Sequence, residues 1–199
     1  MRELYLAQLY QIIEQLFGKQ INDGYHYLIH PVPPAFIQAG IYFFFDPNII
    51  RANGQNKIIR IGKTGNNQNN RLNLHRNGTI DNSVFRSHVS AALQNNGQAH
   101  DQQTINAYIH TLPYLFLPIN NDHHLDLIER RMIKLVSNRD QPVQFDVPPA
   151  NWLGYHATNP AIGESHLWNV RHVGGYVEHN HEVYAEVLNL MHQYVDLLP

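Results

Sequence analysis

The amino-acid sequence predicts an α+β fold: a small three-stranded, mainly antiparallel sheet flanked by helices, with helical segments appended at the N- and C-terminal ends. Three observations predict it. Two short apolar runs, IYFFF at 41–45 and IIRIG at 58–62, flank a polar loop with Asp46-Pro47 and Asn53-Gly54, the composition of a hairpin connection. A third apolar run, YLFLPI at 114–119, stands apart from them. Segments of helical period fill the intervals, so the order reads β-β-α-α-β-α.

The elements follow in order. Residues 3–17 form an amphipathic helix with Leu6, Leu9, Ile12, Ile13 and Leu16 on one face, and Gly18 is its expected stop. Residues 25–38 are extended or irregular, because Pro31, Pro33 and Pro34 forbid a helix. Strands are expected at 40–46 and 57–62, then a polar loop at 66–70 and a short helix from Arg71. Ser83 is an N-cap for a helix ending near Asn95-Asn96-Gly97. After the third strand, Asn121 or Asp122 caps a helix whose buried stripe is Leu125, Ile128, Met132, Leu135 and Val136. Beyond Pro142 the chain is rich in Gly, Pro and Asn and carries both tryptophans, which marks an ordered wrap. A last helix spans about 178–197, with Tyr184, Val187, Leu188, Met191 and Val195 on one face. The division expected is a lead-in at 1–38, a core at 39–145, and a wrap with terminal helix at 146–199.

Composition narrows the class. The chain has 199 residues, 43% apolar and 15% charged, a globular balance long enough for a real core. It has no cysteine, which excludes disulfide, iron–sulfur and thiolate-zinc sites and fits a reducing compartment; with no continuous apolar leader, a cytoplasmic location is expected. No apolar run is long enough to span a membrane. The formal net charge is −2, yet Arg51, Lys57, Arg60, Lys63, Arg71, Arg76 and Arg86 crowd into 51–86, and 47–80 holds no acidic residue. A basic face on a near-neutral protein is a footprint for phosphate. Arg51, Lys57, Arg76, Arg86 and His88 are therefore candidate nucleic-acid contacts.

The two apolar runs carry Gly40-Ile41-Tyr42 and Arg60-Ile61-Gly62, followed by Lys63; pairing of the strands brings Tyr42 and Arg60 near one another. Arg71 and His75 lie at i and i+4 on one helix face, and Glu129 sits in the middle of the helix after the third strand. The stretches AGIYFF at 39–44, RIGKTG at 60–65, RLNLH at 71–75 and the glutamate of LIERRMI at 127–133, in this order, resemble the GIY-YIG nuclease superfamily over about 40–140. The segments FRSHVSAAL and WLGYHATNPAIGESHLWNVRHV are similar to parts of stand-alone bacterial members. This sequence departs from the pattern in three ways: Arg60 stands where the second motif has tyrosine, the hairpin is longer, and the downstream asparagine is either Asn138 or Asn151.

The resemblance implies a metal-dependent endonuclease, on DNA in preference to RNA, with Tyr42, Arg60, Lys63, Arg71, His75 and Glu129 as the catalytic set. Gly40, Gly62 and Asn138 would support the site. The chemistry is consistent with these residue types. Arginine can fork onto phosphate oxygens. One carboxylate, Glu129, suits a single Mg²⁺ or Mn²⁺ ion that takes its other ligands from water and phosphate. Tyr42, with a reference pKa of about 10, needs a nearby Lys63, Arg60 or metal to ionise. His75 could orient or deprotonate water. A homodimer remains open. A second reading is a catalytically inactive nucleic-acid-binding module on the same fold, and a third is an interaction protein built on the tryptophan-rich wrap. His123-His124 and His179-Asn180-His181 offer no closed zinc spacing.

Overall fold

The computed structural model describes residues 1–22, 39–65, 71–176 and 181–198. The expected irregular segment 25–38, the loop 66–70 and His179-Asn180 lie outside the described residues. The sheet has three strands in the order β2-β1-β3, both pairs antiparallel, with β1 Gly40–Ile50, β2 Asn56–Thr64 and β3 Tyr114–Pro118. This is the α+β architecture expected. Strand β1 runs past the expected end at 46 because Pro47, which has no N–H to donate, falls where the register with β2 breaks between Asp46 and Ile50.

Alternation along β1 sends its side chains to two cores. Ile41, Phe43 and Phe45 join a core with α1 Arg2–Asn22, α5 Asp122–Val136 and α7 His181–Asp196. Tyr42 and Phe44 join a second core with α3 Val84–Asn95, α4 Gln102–His110, Trp152 and Trp168. The appended ends and the wrap therefore cover the two faces of the sheet. Helix α1 continues through Gly18, whose position meets no neighbouring atom. The cost of an exposed glycine in a helix, about 1 kcal/mol, is outweighed by burial of Leu9, Ile13 and Leu16.

Helices α2 Arg71–Asn77 and α3 match the sequence expectation, and Ser83 caps α3 by accepting from the Arg86 N–H. Asn121, not Asp122, caps α5 by accepting from the His124 N–H. Two helices had no sequence signal. Helix α4 is capped by Asp101 and buries only Ile105 and Ile109. Helix α6, Pro160–Ser165, lies within the wrap. Both are too short for a readable apolar period. Among the described residues, no helix is long and apolar enough to cross a membrane.

Candidate active site

The two motif glycines sit where other side chains need their space. Tyr42 pairs with Gly62 on β2 and Phe116 on β3. Its ring lies so close over Gly62 that an added Cβ would meet the hydroxyl and the ring, with Cε2 at 2.7 Å. A Cβ on Gly40 would meet the Phe116 ring, with Cε1 at 2.8 Å, and the Leu117 carbonyl. Real Cβ atoms do not approach so closely, so glycine at 62 lets the phenol lie across β2 towards α2. Tyr42 is 1% exposed there.

Helix α2 brings His75 to that phenol. The Tyr42 hydroxyl is 2.8 Å from His75 Nε2, and His75 Nδ1 is 2.8 Å from Ser83 Oγ. In the tautomer with its proton on Nδ1, the ring donates to Ser83 and leaves Nε2 to accept from Tyr42. Burial, with the charges of Arg60, Arg71 and Arg86, holds His75 well below the ordinary imidazole range, so it is neutral. Burial pushes the Tyr42 phenol up, while Arg60 and Arg71 pull it down and Glu129 opposes them. The Tyr42–His75 pair is thus neutral until a further charge enters the site.

Arg60 reaches the same face by regular alternation from Gly62, and a bulge follows it. Register shifts between Phe44–Arg60 and Phe45–Ile58, leaving Ile59 unpaired on β1's side. The Arg60 guanidinium then lies 4.6 Å from the centre of the Phe85 ring and donates to the Trp168 carbonyl. Arg60 Nε has no hydrogen-bond partner among the described residues. The expected approach of Tyr42 and Arg60 is present as an electrostatic pair, although the direct partner of Arg60 across β1 is Phe44.

Lys63 and Glu129 meet on the side of α5. Lys63 Nζ bonds the Asp126 carboxylate and lies 3.5 Å from Glu129 Oε2. Burial works against its charge, but Asp126 and Glu129 raise the Lys63 pKa overall. Arg71 begins α2 and is exposed. Arg60, Arg71 and Glu129 all act on Tyr42, which joins these residues to the Tyr42–His75 pair. Lys63 is linked to them only through Glu129. The single half-buried carboxylate of Glu129, already facing a cation in Lys63, fits one Mg²⁺-type ion completed by water and phosphate oxygens. Among the described residues no group of three or more His, Cys, Asp and Glu is placed to hold a metal ion by itself.

The expected basic face is corrected. Arg51 is tied to Asp146 at 2.7 Å and lies 3.6 Å over the Tyr10 ring. Lys57, Arg76 and Arg86 are 1%, 2% and 0% exposed. Arg76 donates to the Leu112 carbonyl and stacks on Tyr114. Arg86 donates to the carbonyls of His75 and Arg76 at 3.1 and 2.9 Å. Burial brings Lys57 down to about 8. Lys57, Arg76 and Arg86 pack their stems in the interior and present almost no surface to phosphate, while Arg51, partly exposed, has its charge met by Asp146. Arg86 instead braces the C-terminal end of α2, where His75 sits. His88 is half-buried on α3, its Nε2 enclosed without a partner among the described residues.

Neither expected asparagine is at this site. Asn138 is buried and bonds the Phe145 backbone, His166 Nδ1 and Arg2, joining α5 to the wrap. Asn151 is exposed. The residue missed is Asn169: its Oδ1 accepts from the Ile61 N–H at 3.1 Å and its Nδ2 donates to the Ile61 carbonyl at 2.7 Å. The Trp168 N–H donates to the Ile59 carbonyl at 2.6 Å. Together they pair the free edge of β2 from outside and fix the backbone between Arg60 and Gly62. The only sequence signal was the polar Asn after a buried tryptophan in HLWNV.

The α+β fold thus carries a strand-paired tyrosine seated on a glycine, a helix with Arg71 and His75, and Glu129 on the helix after β3. A sequence profile described as the GIY-YIG domain matches residues 1–106 and 98–198, so the chain belongs to the GIY-YIG family. Members are in general divalent-metal-dependent nucleases. Comparison with curated proteins and with solved structures gives no match.

Proposed function

We propose that this protein is a metal-dependent endonuclease that hydrolyses phosphodiester bonds of DNA. The observation that carries the reading is the Tyr42–His75 hydrogen bond under the joint influence of Arg60, Arg71 and Glu129. Water attacks phosphorus in line and the bond to the leaving oxygen breaks. Tyr42 takes the proton of the attacking water as it passes its own to His75 Nε2, and Arg71 forks onto the non-bridging oxygens, where negative charge accumulates. Arg60, in place of a second-motif tyrosine, adds positive charge beside the phenol and favours its ionised form. Glu129 would hold one Mg²⁺ or Mn²⁺ ion, which when bound neutralises charge on the phosphate and the departing oxygen.

One observation favours the second reading, a nucleic-acid-binding module without activity. Tyr42 is 1% exposed and Glu129 is paired with Lys63, so both groups must be uncovered or released before they can act. The two readings part in one experiment: incubation of a labelled panel of single-stranded, duplex and branched DNA and RNA with Mg²⁺ or Mn²⁺. Endonucleolytic products on DNA that disappear with EDTA support the nuclease. Retention of nucleic acid in a gel shift, with every substrate intact, supports the binding module.

A further inference from the structure

The sequence concentrates its cations at 51–86, but that stretch folds largely inward, so the surface charge available to a polyanion stands elsewhere. Lys63 on β2 bonds Asp126 and Glu129 on α5. Arg130 follows Glu129, donates from Nε to the Asp126 carbonyl, and is exposed. Lys134 lies one turn further at i+4, on the same side of α5, and is partly exposed. From the other side, Asn169 fixes the wrap to Ile61, two residues before Lys63, and the next turns of chain carry exposed Arg171 and His172. Burial lowers the His172 pKa, Glu129 opposes this and the charges of Arg130, Lys134 and Lys63 add to it, which agrees with a wrap lying beside this end of α5. Among the described residues, Arg130, Lys134 and Arg171 make no ion pair; the ion pairs of other cations are to Asp126, Glu129, Asp140, Glu164, Asp146 and Asp196.

We propose that Arg130, Lys134, Arg171 and His172 form the track that carries the nucleic-acid backbone past Glu129. The inference rests on the nuclease reading of the site and adds to it the surface that holds the flanking phosphates. These cations, without an ion pair among the described residues, border the one carboxylate assigned to metal, so a backbone lying on them passes the candidate centre. The wrap, through Asn169 and Arg171, then serves two purposes: it fixes the edge of β2 and supplies one wall of the track.

The track is tested by fluorescence anisotropy of a fluorescein-labelled duplex DNA, in EDTA and over a series of KCl concentrations. The proteins compared are the parent, Arg130→Gln/Lys134→Gln, Arg171→Gln, and Lys19→Gln as a charge-matched control on α1. Removing one cation that pairs with a phosphate reduces the slope of log K against log salt by about 1. The double variant is expected to flatten the slope by about 2 and Arg171→Gln by about 1, with Lys19→Gln and all melting curves as in the parent. A parent that cleaves DNA while the three track substitutions leave the slope unchanged overturns the track and spares the nuclease reading. A parent that neither binds nor cleaves overturns both. If poly-glutamate binds the parent as tightly as the duplex does and loses affinity in the same variants, the strip is an acidic-protein surface and the proposal fails.

Discussion

The Tyr42 hydroxyl and His75 Nε2 stand 2.8 Å apart, one on the central strand and the other on a seven-residue helix beyond the hairpin. The pair forms because three features agree. Gly62 leaves room for the phenol, Ser83 holds the far nitrogen of the imidazole, and Arg86 binds the carbonyls at the end of α2.

Glu129→Gln keeps the shape of the side chain and removes its charge. It is expected to abolish Mg²⁺-dependent cleavage and leave DNA binding intact or tighter, because one negative charge leaves the cationic strip. Arg71→Ala is expected to weaken binding and to slow cleavage by about 10²–10³, the scale of deleting one preorganised donor. Cleavage and gel shift of parent and variants in one Mg²⁺ buffer check both; full activity in Glu129→Gln would remove the metal assignment.

Gly62→Ala places a methyl group in the Tyr42 ring. Overpacking of this kind costs about 1–3 kcal/mol, readable as a lower denaturant midpoint. The displaced phenol should also leave His75, so cleavage falls further than stability alone accounts for. Unchanged stability and activity would mean that the ring does not rest on Gly62.

Arg86→Gln separates a buried role from a surface one. The variant leaves the carbonyls of His75 and Arg76 without their charged donor, a loss of about 3 kcal/mol on the scale of charge-assisted hydrogen bonds. Thermal unfolding should show it. The salt slope of DNA binding by the protein still folded should match the parent, and a flattened slope would return Arg86 to the phosphate-binding surface.

Acid stability tests His166. Burial and, secondarily, the charge of Lys57 bring it from 6.5 to about 4. Its folded pKa is below the unfolded one, so between those values the unfolded chain binds the proton that the folded chain refuses. Stability contributed by neutral His166 is complete above about 6.5 and falls as pH drops towards about 4. His166→Gln should flatten the stability profile across that window, seen by urea unfolding at a series of pH values. A profile as steep as the parent's would assign the acid sensitivity to other groups, His75 first, since it is also held neutral.

The sequence by itself determined the sheet, the main helices and the motif residues. Two apolar runs with an Asn-Gly loop specify a hairpin, and period-2 alternation on β1 separates Ile41 and Phe43 from Tyr42 and Phe44. The order of the motifs, through the resemblance they carry, makes Tyr42, His75 and Glu129 legible as candidates. Tertiary structure alone decided which cations are free. A run of Lys and Arg in sequence carries no information on which side of a strand or helix faces a core, and Lys57, Arg76 and Arg86 found packing or partners inside. Tertiary structure also decided the clamp on β2. Asn169 lies 108 residues from Ile61 and reaches it only because the wrap folds back along an unpaired sheet edge. The chain turns at Asp140, just before that wrap, and within it at Asp146, His166 and His172, all with positive φ. Such single-residue reversals leave no period in the sequence; they are held by the packing of the folded chain, which forms only when distant segments meet.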